Sequence, residues 1–270
     1  MDNQKNTLTI PTAIVVAAII IGGAIFVTRD APRKEIFNQP EQAPKAITGS
    51  ISYRPLSPDE HLVGNPEAPI VMLEYSDLEC PFCKSFHKTM KSLLDQYGKS
   101  GDVAWAYRHF PLEIHPRASK EAEATECASE LGGNEAFWAY ANNLFDITPA
   151  NNGLDPAQLP QIAVQTGLDL SAFENCLDSG RYAQKVKDDY QDGLNAGVNG
   201  TPHTILILKT PLTESAQTRL AEINQQILLQ LPPGSRNVIT VNESRTAVGV
   251  SGAFQYVTLK EILDLILSGK

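Results

Sequence analysis

Apolar and polar residues follow one another along this chain in blocks that predict alternating strands and helices. Four mostly apolar runs predict buried strands, at residues 70–75, 103–107, 204–208 and 247–250. Apolar positions spaced at about 3.6 residues predict a helix directly after the first strand and a closing helix at residues 259–267. Strands that alternate with helices in this way predict an α/β domain.

The stretch between the second and third strands has a mostly helical pattern. Its candidate helices are residues 121–131, 136–145, 157–166, 171–177 and 183–194. Glycine-containing breaks separate some of them, so we predict a helical insertion at about residues 113–198. After the third strand, an apolar stripe within about residues 210–236 predicts one more helix, which either packs on the domain or offers a docking face to a partner.

The N-terminal end carries a mostly apolar run without charge, at residues 8–27. A helix of roughly 20 residues is long enough to cross a bilayer core about 30 Å thick. No small-residue cleavage site follows, so we predict a transmembrane anchor within residues 1–30, with a signal peptide as the alternative. The polar and proline-rich residues 31–58 predict a flexible linker, and residues 59–270 the folded domain.

Composition limits the classes of function that fit the chain. The formal net charge is −9 and no basic cluster is visible, which argues against nucleic acid as a partner. A hydrophobic share of 42% is that of an ordinary globular protein with a real core.

The candidate chemistry is a pair of cysteines, Cys80 and Cys83, placed where the first strand gives way to the first helix. The first turn of a helix offers unpaired backbone N–H groups and the positive end of the helix dipole, which favour a thiolate. A thiolate is the form that attacks disulfides. We therefore predict that Cys80 is an exposed nucleophile and that Cys83, one turn deeper, closes the bridge. Pro81 suits the first helical position because its missing N–H would be unpaired there.

Half of a four-cysteine zinc site is the alternative interpretation of this motif. The other two cysteines, Cys127 and Cys176, stand far apart and form no second closely spaced pair. We therefore predict a redox-active dithiol, with no metal and no cofactor.

Four local patterns resemble the DsbA-like thiol–disulfide oxidoreductases of the thioredoxin fold. They are residues 74–83 (EYSDLECPFC), residues 108–112 (RHFPL), the helical insertion, and residues 197–202 (GVNGTP). The resemblance extends from about residue 62 to the C-terminus. It implies a thioredoxin-like fold with a helical insertion, preceded here by the N-terminal transmembrane helix.

The resemblance also implies a substrate site around the dithiol. Pro202 would be a cis-proline that faces the cysteines, and Thr201 would offer backbone groups to an extended substrate chain, next to Pro81 and Phe82. From the residues alone, a trans proline that begins a strand is the favoured interpretation of Pro202, and the resemblance reverses that preference.

Glu74 matches the buried acid that moves protons to and from the deeper cysteine in the family. Burial would raise the pKa of its carboxyl and suit it to acid–base work, whereas a solvated strand glutamate is the alternative. Phe82 stands where the strongest oxidants of the family carry histidine, so a less oxidising couple is expected. His109, His115 and His203 are expected to be structural or exposed.

Cys127 and Cys176 both fall in the helical insertion. An even number of cysteines and an oxidising compartment favour a structural disulfide between them, whereas two buried free thiols are the alternative. The basic residues that follow the apolar run, Arg29, Arg33 and Lys34, favour a cytoplasmic domain. The dithiol chemistry favours the opposite orientation, and we give it more weight.

These observations predict an extracytoplasmic oxidoreductase held at the cell membrane. Its expected substrates are reduced or mispaired exported proteins, and a membrane redox partner is expected to reoxidise its dithiol. A disulfide reductase or isomerase of the same fold is one alternative. A thioredoxin-fold chaperone or binding module without turnover is the other.

Overall fold

The structure is a computed structural model that describes residues 46–269. Its strands in chain order are β1 (His61–Val63), β2 (Ile70–Ser76), β3 (Val103–His109), β4 (His203–Leu208), β5 (Ile239–Val241) and β6 (Ala247–Ser251). They form one sheet in the order β1-β3-β2-β4-β6-β5. The β2–β3 pair is parallel and the other neighbours are antiparallel.

Helices cover this sheet and fill the long connection between β3 and β4. Within the part of the chain that the structure describes they are α1 (Pro81–Tyr97), α2 (Ala118–Ile147), α3 (Gln158–Gln165), α4 (Leu170–Ser179), α5 (Ala183–Asn195), α6 (Glu214–Leu228) and α7 (Tyr256–Ser268). The result is a mixed α/β fold with a helical insertion formed by α2 to α5.

β2 lies in the centre of the sheet and all seven of its residues are buried. Successive side chains of a strand point to opposite faces. Ile70 and Met72 join the larger hydrophobic core that contains Cys83 of α1, whereas Val71 and Leu73 join the smaller core on the other face. A strand buried on both faces explains why this segment reads as a nearly continuous apolar run.

The four predicted strands are present, each with an end shifted by up to two residues. The pattern missed β1 and β5, because three-residue edge strands are too short to show a period. The two helices predicted at residues 121–131 and 136–145 are confirmed as the two halves of α2, which are separated by non-helical backbone at Gly132 and Gly133. Gly133 has a φ of 70°, which glycine adopts without steric cost, so the break lies where the glycine pair predicts it.

The extra helix after the third predicted strand packs on the domain. α6 buries Ala216, Leu220 and Ile223, and all three belong to the larger core. The packing interpretation of the 210–236 segment is therefore the one that the structure supports. Thr213 caps the N-terminus of the helix by accepting a hydrogen bond from the Ala216 N–H.

The folded domain begins before residue 59, which corrects the predicted end of the linker at residue 58. Ile47 is buried in the larger core, and Thr48 forms an isolated bridge with Val241. Arg54 forms an ion pair of 2.7 Å with Asp189 of α5. Single apolar and charged anchors of this kind carry no periodicity, so the sequence pattern did not reveal them.

The predicted anchor at residues 1–30 lies outside the described residues, as does residue 270. Among the helices between residues 46 and 269, none has the length and apolar character needed to span a bilayer.

Candidate active site

The cysteine pair lies at the start of α1. Cys80 is the N-cap residue, with the extended backbone typical of that position, and Pro81 follows in the first turn. Cys83 lies in the same turn and is fully buried. The helix therefore presents its unpaired N–H groups to the Cys80 sulfur, as the motif at a strand–helix junction predicts.

The two sulfurs have opposite acidities. A hydrogen bond from the Cys83 thiol, together with the backbone N–H groups of Cys83 and Phe82, lowers the pKa of Cys80 to about 6 against the effect of burial. Burial raises the pKa of Cys83 well above its ordinary value, and the neighbouring Cys80 adds to that rise. At neutral pH the pair thus holds one thiolate and one thiol.

Cys80 is less accessible than the sequence predicted. Only 3% of the residue is exposed, because the loop before β4 covers it, with the Thr201 carbonyl oxygen 3.7 Å from the sulfur. Phe82 is 65% exposed. The exposed residues beside the dithiol are therefore Pro81 and Phe82, whereas the nucleophile itself is buried.

The covering loop contains the Thr201–Pro202 peptide bond, which is cis. The Pro202 carbonyl oxygen accepts a hydrogen bond of 3.0 Å from the Gly252 N–H, which fixes the loop to the end of β6. The loop and the first turn of α1 thus bring together Thr201 and Cys80, two residues that lie far apart in the sequence.

Glu74 lies on the face of β2 that α1 covers, and it is fully buried. Its Oε2 accepts a hydrogen bond of 3.0 Å from Trp105 Nε1, whereas its Oε1 has no partner. Burial raises the pKa of this carboxyl to about 7, although the nearby Ser76 hydroxyl and the Trp105 indole N–H act to lower it. A group with that pKa can both give and accept a proton near neutral pH.

The histidines all have structural partners. Burial lowers the pKa of His87 to about 4, and its Nε2 lies 2.7 Å from Asn142 Oδ1. Burial likewise lowers the pKa of His203 to about 4. His115 pairs with Asp77 at 2.9 Å, and His109 with Glu126 at the same distance.

A group of buried acids supports the turn between β2 and α1, and sequence reasoning missed it. The Asp77 N–H donates to the Cys83 sulfur at 3.5 Å, and Asp77 Oδ1 accepts from the Glu79 N–H at 2.7 Å. Burial, followed by the neighbouring Glu79, raises the pKa of Glu121 to about 9. The available signal was two acidic residues, at 77 and 79, placed directly before the cysteine motif.

One cluster of the described residues has the spacing of a metal site. The ligand atoms of His109, Glu126 and Asp189 all lie within 4.8 Å of one another, and the three residues are buried. The ammonium group of Lys185 already lies 3.1 Å from Glu126 Oε1 and 3.5 Å from Asp189 Oδ2. The Lys185 ammonium group therefore already supplies a positive charge to these carboxylates, and the cluster is an ion-pair network.

Cys127 of α2 and Cys176 of α4 form a disulfide with a Cα–Cα distance of 5.8 Å. Both residues are buried in the helical insertion. The bridge ties two helices whose cysteines are 49 positions apart in the chain.

The chain is similar to known proteins over most of its folded part. A family model described as Thioredoxin matches residues 56–222. Among solved structures, DsbA2 of Pseudomonas aeruginosa has a TM-score of 0.55 and 24% identity, covering 78% of this chain and 96% of that one. Wolbachia pipientis alpha-DsbA1 has a TM-score of 0.57 and 22% identity, covering 79% and 93%. The fold is therefore the thioredoxin-like fold of the DsbA structures.

A curated relative carries a different kind of name. The Na(+)/H(+) antiporter NhaA 1 of Mycolicibacterium vanbaalenii is 33% identical over 194 residues, which are 70% of this chain and 28% of that protein. The chain thus spans less than a third of the length of that relative, and the antiporter activity is that of the larger protein.

Proposed function

The chain belongs to the thioredoxin family, and we propose that it is a thiol–disulfide oxidoreductase that forms disulfides in other proteins through Cys80 and Cys83. The observation that carries this proposal is the difference in acidity between the two sulfurs. A thiolate beside a protonated buried thiol is what directional disulfide exchange requires.

The reaction begins with the Cys80–Cys83 bridge oxidised. A substrate thiolate attacks the Cys80 sulfur, which forms a mixed disulfide and releases Cys83 as a thiolate that takes up a proton. The second substrate thiolate then attacks the substrate sulfur of the mixed disulfide. The substrate leaves with a new disulfide, and Cys80 leaves as the thiolate. Two electrons pass from the substrate thiols to the enzyme, which now holds the reduced pair.

The low pKa of Cys80 favours this direction. A stabilised thiolate stabilises the reduced pair, and a couple whose reduced form is stabilised is a stronger oxidant. Phe82 favours a less oxidising reduction potential for the pair, because its phenyl ring offers no charge or hydrogen bond to the Cys80 thiolate. A disulfide reductase or isomerase is therefore the second candidate, and Phe82 is the residue that favours it.

The place of action and the partners form part of the proposal. The Cys127–Cys176 bridge supports an oxidising compartment outside the cytoplasm. The apolar run at residues 8–27 supports attachment to the membrane from that side. Reduced or mispaired exported proteins are the proposed substrates, and a membrane redox partner would return the dithiol to the disulfide.

A redox equilibrium combined with a turnover assay tests the proposal. The full chain is equilibrated with glutathione buffers, and its ability to oxidise a reduced protein with a single disulfide is measured. We expect catalysis and a potential between about −230 and −120 mV. A potential near that of thioredoxin, about −270 mV, would favour the reductase. A potential below about −300 mV without turnover would contradict both enzymes and leave a binding module.

A further inference from the structure

Buried hydroxyl groups without hydrogen-bond partners surround Glu74. The atoms are Ser76 Oγ, Tyr107 Oη and Thr204 Oγ1, together with Glu74 Oε1 itself. Each of these residues is at most 1% exposed. Unpaired buried polar atoms destabilise a fold, so several of them in one place call for a functional explanation.

Strand register places these groups on one face of the sheet. Glu74 and Ser76 are two positions apart on β2, so their side chains point the same way. Tyr107 of β3 and Thr204 of β4 are the direct neighbours of Glu74 on either side. The same face carries Met72, Trp105 and Leu206, which pack in the core that contains Cys83.

Ser76 is the member of this group that lies nearest in the chain to the dithiol. It is the last residue of β2, and the next residue, Asp77, donates its N–H to the Cys83 sulfur. Ser76 therefore shares its face of β2 with Glu74 and directly precedes the residue whose N–H contacts the sulfur of Cys83 in α1.

We propose that Ser76 is a positioning residue whose hydroxyl passes a proton between the Glu74 carboxyl and the Cys83 sulfur. This inference rests on the proposed exchange reaction. When Cys83 is released as a thiolate, the hydroxyl donates its proton to that sulfur and accepts the proton of Glu74. The products are a Cys83 thiol, a Glu74 carboxylate and an unchanged serine. A hydroxyl is suited to this step because it is donor and acceptor at once.

The acidities agree with that placement. Burial raises the pKa of both Glu74 and Cys83, and the Ser76 hydroxyl lowers the pKa of both, so it neighbours each of them. The relay also avoids a buried thiolate that would otherwise persist in the core, where an isolated charge is costly.

Other titratable groups also face this region. They are Cys83 and His87 from α1, Tyr107 and His109 from β3, and Asp77 from the turn after β2. Burial keeps the pKa of His87 near 4 and raises that of Tyr107 well above its ordinary value, so neither changes charge near neutral pH. Glu74, whose pKa is about 7, is the group expected to govern the proton step there.

The test measures the rate at which dithiothreitol reduces the oxidised full chain, across about pH 5 to 9. Dividing each rate by the concentration of the reagent's thiolate gives a rate constant that no longer reflects ionisation of the reagent. In the wild-type protein this rate constant should fall as pH rises through about 7, because Glu74 then loses the proton that it supplies. Ser76→Ala should be about tenfold slower below pH 7 and lose the inflection. Ser76→Thr, which restores a hydroxyl, should recover both.

Two controls separate a relay from a packing effect. Thr166→Val removes a partly buried hydroxyl that donates to the Ile162 carbonyl oxygen at the end of α3, and it should leave the pH profile unchanged. Fluorescence of Trp105, which donates to Glu74, should still report the ionisation of the carboxyl in Ser76→Ala, at a somewhat higher pH. In Ser76→Ala the rate constant would then show no inflection with pH, although the Glu74 carboxyl still ionises.

The outcomes distinguish this inference from the proposed function. A wild-type profile in Ser76→Ala would overturn the relay alone, as would equal slowing in Ser76→Ala and Ser76→Thr. If the wild-type protein shows no turnover and a structural potential, the proposed function itself fails.

Discussion

Cys80→Ser is expected to abolish disulfide exchange, reducing turnover to the rate of the reaction without enzyme. A serine hydroxyl does not ionise at neutral pH and forms no mixed disulfide, so the first step has no sulfur to receive the substrate. The 270-residue chain would keep its fold, because the substitution replaces one atom at the N-cap, where serine is itself a favoured residue. Turnover of the reduced single-disulfide protein is the measurement.

Cys83→Ser is the matched control, since it makes the same chemical change three residues away. It leaves Cys80 able to attack a substrate disulfide but removes the thiol that resolves the product. We expect a mixed disulfide at Cys80 that persists and is visible as a mass increase equal to the substrate. Residual turnover in Cys80→Ser, or a trapped adduct on a residue other than Cys80, would contradict the mechanism.

Removal of the Cys127–Cys176 disulfide has the largest expected effect on stability. The bridge joins positions separated by 49 residues, and closing a loop of that length stabilises a fold by about 4 kcal/mol in the loop-entropy estimate. The double variant Cys127→Ala, Cys176→Ala should therefore lose about that free energy of unfolding. In a domain of this size the loss corresponds to a Tm lower by about 10 °C. Denaturant unfolding and calorimetry measure the two quantities.

A reductant provides the control for this prediction. In the Cys80→Ser, Cys83→Ser protein, Cys127–Cys176 is the bridge that dithiothreitol can reduce. Addition of the reductant should lower the Tm of this protein by a similar amount. It should leave unchanged the Tm of a variant in which all four cysteines are replaced. A loss below about 1 kcal/mol on removal of the bridge would show that it does not stabilise the fold.

The parts of the site that the sequence predicts well are those with a local signature. A closely spaced cysteine pair between an apolar strand and an amphipathic helix fixes the N-cap position of Cys80, and the structure places it there. The same run of residues marks β2, because a strand buried on both faces is apolar along its length. Glu74 is recognisable for the same reason, as an acid within that run.

The features that the sequence did not predict depend on contacts between distant segments. Cys80 is covered by the loop at Thr201, which is 121 residues away, so its burial has no local signal. The segment before residue 59 docks through Ile47 and Arg54, whose partners lie elsewhere in the fold. The contact between the turn after Ser76 and the Cys83 sulfur likewise depends on how α1 packs on β2.

The proposed exchange reaction depends on the ionisation of Cys80, which a titration of the reduced chain measures. The thiolate absorbance and the rate of alkylation are followed against pH, with Cys80→Ser subtracted as the blank. We predict an inflection near pH 6, so that the sulfur is mostly thiolate at neutral pH and becomes unreactive as the pH falls through that value. A single inflection near pH 9, the ordinary value for a cysteine thiol, would contradict the account.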